Sequence, residues 1–168
     1  MSWIVPIASG LEILLLLYVA TIDIATRLIS NEICFVLGVL GIIGQLLMPM
    51  QLAQSLIVGA VLFLVLLTIY QRGMIGGGDV KLLVALAIGL PLSGVIQLLT
   101  ATALAGGVLA ALHLMMRRLP QPRLAPAGSS LIRRVYAVER WRHLRHGSLP
   151  YGVAIACGGI WTILSKGF

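Results

Sequence analysis

The chain has 168 residues, of which 60% are hydrophobic and only 10% charged, where soluble domains carry roughly 25% charged residues. With a mean hydropathy of +1.06, this composition excludes an ordinary soluble protein, and the apolar runs lack the alternation of outer-membrane barrel strands. The formal charge is +7, yet no aromatic-interleaved basic face or nucleic-acid motif accompanies it, so nucleic acid is not an expected partner.

The first apolar run, at about 3–25, lacks a positive n-region and carries Glu12 within it. It reads as a retained span and not as a cleaved signal. Further apolar runs predict helices at about 32–48, 52–70, 79–90, 93–116 and 150–165. Five of the six approach the roughly 20 residues that cross the hydrocarbon. The fourth, between a glycine cluster and Pro91, reaches only about 18 Å at 1.5 Å per residue. It is a partial span, or one that crosses where the bilayer thins.

The expected architecture is therefore all-α: a polytopic membrane protein with about six transmembrane helices, the fourth short. The whole chain, residues 1–168, reads as one membrane-embedded domain. Very short connections after spans two and four make antiparallel hairpins. The long connection, at about 117–149, is basic and opens on a proline-rich stretch. Within it, about 130–146 can form a surface helix, and anionic lipid is its expected contact.

Loop charge orients the chain, because cytoplasmic loops carry an excess of Lys and Arg. With six spans, one side receives Arg27, Arg72, Lys81 and eight arginines from Arg117 to Arg145, and the other only Lys166. Both termini are thus expected outside the cytoplasm. The same parity puts Asp23, at the exit of span one, and Asp79, at the entrance of span four, at the cytoplasmic ends of their helices.

These are two of only five acidic residues, and an ionisable group at membrane depth marks a functional site by default. Two carboxylates about 3 Å apart cannot both ionise cheaply, so they share a proton. The ionised member can deprotonate a water while the protonated member donates to a carbonyl oxygen. The pair titrates as a unit, which leaves open which Asp is the acid. A proton-coupled carrier or channel, with the carboxylates as a relay, is the alternative in another class. A carrier would place them near the midplane, commonly with repeat symmetry, and no repeat is apparent.

The stretch Gly76-Gly77-Gly78-Asp79-Val80-Lys81 resembles the Gly-x-Gly-Asp-x-Lys motif of type IV prepilin peptidases, the polytopic aspartic proteases of pilus and secretion systems. Asp23 with Arg27 and Asn31 resembles that family's first aspartate motif, which ends in Ile-Pro-Asn; here Ser30 stands in place of the proline. Pro150-Tyr151-Gly152-Val153-Ala154 is similar to the family's opening of the last span. The resemblance implies Asp23 and Asp79 as catalytic residues, with no cofactor and no metal. It implies prepilin or pseudopilin substrates, cleaved after the glycine that ends a short basic leader, on the cytoplasmic side of the bacterial inner membrane. The chain begins directly at span one and has no tetracysteine cluster. It is therefore similar to the short, peptidase-only form that serves tight-adherence (Flp-type) pili.

Supporting roles near the site fall to Gly76, Gly77, Gly78, Lys81, Arg27 and Asn31. The glycines allow an irregular, close-approaching backbone before the fourth helix, and the helix dipole favours an anion at Asp79. Arg27 has the spacing for an ion pair with Asp23 if the first helix continues, and otherwise anchors the interface. Lys81 is expected to snorkel or to support the site locally, and Asn31 to cap span two or hold the loop near Asp23. Glu12 stands apart, mid-span and away from the cytoplasmic end. His113, His143 and His146 show no ligand spacing, and Cys34 and Cys157 read as packing residues.

Overall fold

A computed structural model describes residues 4–46, 49–118 and 149–165. Among these residues the chain is all-helical, with α1 at Ile4–Thr26, α2 at Asn31–Gln45, α3 at Pro49–Gln71, α4 at Gly77–Ile88, α5 at Leu92–Arg118 and α6 at Tyr151–Ser165. Within α1, α3 and α5 lie segments long and apolar enough to cross a membrane: Pro6–Thr26, Met50–Gln71 and Leu92–Met115. The other three helices are shorter, at 15, 12 and 15 residues. The surface helix expected at 130–146 lies outside the described residues, as do His143, His146 and most of the basic loop.

Two compact units divide the chain: one comprises Met1–Gly106 with Pro150–Phe168, the other Gly107–Leu149. The described part of the second unit is the end of α5, where His113 is buried, and Leu149. In the first unit α4 is the central element. Val80, Leu82, Leu83, Ala85, Leu86 and Ala87 are all buried, and α4 contacts α2, α3 and α6. A helix apolar on every side belongs in an interior, and Lys81 is its one exposed side chain. Outward, by contrast, large apolar residues dominate: Leu14, Phe35, Ile57, Leu64 and Trp161 are all exposed. That inverted distribution suits lipid as the surrounding solvent.

The fourth helix occupies Gly77–Ile88, two residues earlier at each end than expected. Gly77 and Gly78 accept helical geometry, so the cluster forms the first turn and does not precede it. Gly89 ends the helix and Pro91 follows it, as proline cannot continue one. Close packing of α2 on α4 rests on Gly41 and Gly89. A Cβ on Gly41 would come within 2.7 Å of the Gly89 Cα, so the two backbones touch. In the α2–α3 hairpin, the buried Ser55 hydroxyl on α3 donates to Gln45 Oε1 on α2 at 2.6 Å.

Candidate active site

Asp23 lies one turn before the end of α1, and its side chain is only 5% exposed. The helix stops just beyond it. Thr26 Oγ1 donates to the Ile22 carbonyl at 3.0 Å and accepts the Leu28 N–H at 3.3 Å, turning the backbone out of the helix. Arg27 then adopts the left-handed region with φ 57°, which non-glycine residues seldom enter. Arg27 thus lies just past the end of α1. Its N–H still bonds to the Asp23 carbonyl at 3.0 Å, and its positive charge acts on the Asp23 carboxyl.

Ser30 begins α2 with φ −69° and ψ 136°. Proline's ring fixes φ near −65°, so serine here keeps the backbone shape that the family's proline would impose. Ser30 holds the N-cap position, without a side-chain cap bond, and Asn31 is the first helical residue. The capping role expected of Asn31 is thus corrected. Its Oδ1 instead accepts a hydrogen bond from Lys81 Nζ at 2.8 Å. Lys81 thus ties the start of α2 to the beginning of α4.

Asp79 is the third residue of α4, with Gly76 at the N-cap. Its carboxyl folds back over Gly76, where a Cβ would meet Oδ2 at 2.9 Å, and the Gly76 N–H is directed at it. This is one half of a capping box, in which the third side chain satisfies the N-cap amide. The other two glycines face the protein itself. A Cβ on Gly77 would press on the Tyr70 ring at 3.3 Å, and one on Gly78 on Ile29 at 3.1 Å. The cluster thus packs α4 against α3 and against the turn that follows Asp23.

These contacts bring Asp23 and Asp79 together, near enough for the charge of Asp23 to act on Asp79. The start of α6 completes the site. The N–H groups of Gly152 and Val153 are directed at the Asp23 carboxyl, and a Cβ on Gly152 would stand 2.8 Å from both its Cγ and its Oδ2. Oδ2 is buried and has no hydrogen-bond partner among the described residues. Gly152 and Tyr70 had not been singled out as site residues. For Gly152 the signal was available in the Pro-Tyr-Gly element, while nothing local marks Tyr70.

Glu12 is remote from this pair. It lines a cavity of about 410 Å³ with Gln45, Gln51 and Thr162, against Leu86 and Gly89 at the opposite end of α4 from Asp79. A second, apolar groove of about 470 Å³ lies along α2, α3 and α4 between Phe35, Phe63 and Ile88, with Asn31 and Lys81 also on its wall. Cys34 is a buried free thiol and Cys157 an exposed one. No group of three His, Cys, Asp or Glu side chains among the described residues is arranged to hold a metal ion.

The site is two carboxyl groups drawn from separate helices, each turned onto backbone amides, in a largely apolar interior. Such a pair can hold one proton between its members and polarise a water against an amide. Among known proteins, the model of the type IV leader peptidase family matches residues 11–111, more than half of the chain and a segment that includes both aspartates. No match was found among curated proteins or among solved structures.

Proposed function

Because the chain belongs to the type IV leader peptidase family, whose members are proteases, we propose that it is a membrane aspartic endopeptidase in which Asp23 and Asp79 together activate water. The observation that carries this reading is the packing of the first turn of α4, which carries Asp79, against the turn that follows Asp23, where a Cβ on Gly78 would meet Ile29 at 3.1 Å. In the reaction, the ionised carboxylate takes a proton from water as the oxygen attacks the scissile carbonyl carbon. The protonated carboxyl donates to the carbonyl oxygen. Collapse of the tetrahedral intermediate then returns a proton to the leaving amine, and the pair ends with one proton, as it began.

The substrates are prepilins or pseudopilins, cut behind a short basic leader. We read α2, α4 and α6 as crossing the membrane with α1, α3 and α5, the active site at the cytoplasmic face. The charge bias of the loops supports that orientation. Anionic lipid is the partner assigned to the basic loop at about 117–149.

Cleavage of a prepilin by the purified protein in liposomes tests the reading. Asp23→Asn and Asp79→Asn, assayed separately, are each expected to lower kcat at least about hundredfold, within the range for general acid–base groups. Near wild-type cleavage by either variant would overturn the shared-proton mechanism. Proton flux through the liposomes without cleavage would assign the pair to transport instead.

A further inference from the structure

We propose that Asp23 caps the last helix in trans, and that Gly152 is the positioning residue that allows it. The inference deepens the reading of Asp23 as half of the catalytic pair, and its importance to catalysis rests on that reading. The first N–H groups of any helix have no partner inside it, and an N-cap side chain usually accepts from the second or third residue. In α6 the N-cap position is Pro150, whose ring offers no acceptor. The second residue of α6 is Gly152, and the Asp23 carboxyl lies directly against it: a Cβ there would stand 2.8 Å from Cγ and Oδ2. The Val153 N–H donates to the Pro150 carbonyl at 3.2 Å, which leaves the Gly152 N–H without a partner inside the helix. A residue on α1 thus does for α6 what its own proline cannot.

Only glycine admits this approach. Beyond the 2.8 Å contacts with Cγ and Oδ2, a Cβ on residue 152 would lie 3.0 Å from the Asp23 Cβ, so the whole side chain is in the way. Asp23 has no room to retreat, since α1 packs directly on α6 and the Val19 side chain, one turn earlier, is buried. The approach also fixes which oxygen is left for chemistry. Oδ2 is the buried acceptor without a partner among the described residues. A methyl group at residue 152 would press on that oxygen. The two carboxyl groups are therefore held by one device used twice. Asp79 serves the N-terminus of its own helix, and Asp23 serves that of another.

The test pairs hydrogen exchange with kinetics on the full chain in detergent. Asp23→Asn retains an acceptor and is expected to leave exchange at the Gly152 amide within about twofold, whereas Asp23→Ala raises it about fivefold, the loss that an emptied N-cap brings. Gly152→Ala displaces the carboxyl and raises exchange at the residue 152 amide by a similar factor. Unchanged exchange in Asp23→Ala, or in Gly152→Ala should the first variant not fold, overturns the capping. For positioning, Gly152→Ala is expected to lower kcat roughly tenfold or more while KM stays within about twofold, as a misplaced catalytic group would. Gly158→Ala, whose new methyl group meets Thr102 on α5, is the structural control. It lowers the unfolding temperature but keeps kcat per folded molecule. If Gly152→Ala behaves as Gly158→Ala does, Gly152 is a packing residue and the proposal is wrong. Because exchange does not depend on cleavage, capping is decided even if Asp23→Asn and Asp79→Asn remain active.

Discussion

At the scale of single residues, the proposed shared proton predicts a pH dependence. A pair that works only while it holds one proton should make cleavage rise and then fall with increasing pH. On the acid side both carboxyls are protonated and no base remains. On the alkaline side both are ionised and the carbonyl oxygen loses its donor. A pH–rate profile of the wild-type enzyme checks this, and a flat profile across the carboxyl range contradicts it. The hydrogen bond from Lys81 to Asn31, at 2.8 Å, acts further out. It is exposed, so Asn31→Ala should cost only roughly 0.5–1 kcal/mol of stability, as measured by denaturant unfolding in detergent. Activity should fall further than stability, since the bond ties the turn after Asp23 to the helix that carries Asp79.

At the scale of elements, the turn between α1 and α2 shows how a changed residue can preserve a shape. Ser30 has the φ of a proline, −69°, and its N–H makes no backbone hydrogen bond among the described residues. Ser30→Pro should therefore leave cleavage intact and add about 0.4–1 kcal/mol by restricting the unfolded chain, seen as a higher unfolding temperature. The α2–α4 contact responds in the opposite sense. A methyl group on Gly41 would collide with the Gly89 backbone at 2.7 Å, which cannot rotate away as a side chain can. Gly41→Ala should destabilise by roughly 1–3 kcal/mol, as overpacking does. Gly44→Ala, one turn on with open space around it, should stay within about 0.5 kcal/mol.

At the scale of the whole molecule, loop charge predicts the orientation of the site. Met74, in the connection between α3 and α4 near Asp79, is 73% exposed. In a background with Cys34 and Cys157 replaced by serine, Met74→Cys should react with a membrane-impermeant thiol reagent in inside-out vesicles and be protected in right-side-out ones. The opposite pattern would put the carboxylates on the outer face. Glu12, on the polar cavity at the other end of α4, shows that the two ends of the bundle are chemically distinct. Among the described residues, Glu12 lies at one end and the Asp23 and Asp79 pair at the other.

The all-helical class, the approximate helix bounds, the short fourth helix and the two aspartates were legible in the residues alone. Apolar run length, glycine and proline punctuation, and the cost of charge in an apolar run are local properties. What local reading missed are the relations between distant segments. Asn31 reads as a cap because asparagine caps helices, yet Lys81, from another helix, takes its oxygen. The glycines before Asp79 read as open loop, yet Tyr70 and Ile29 occupy the space that their missing side chains leave. Sequence by itself determined that two carboxylates sit where carboxylates are costly. Only the tertiary structure decided that both are turned onto helix-start amides, one its own and one borrowed. Burial and hydrogen bonding at a carboxylate depend on which backbone packs against it, and that backbone, at Gly152, lies far along the chain from Asp23.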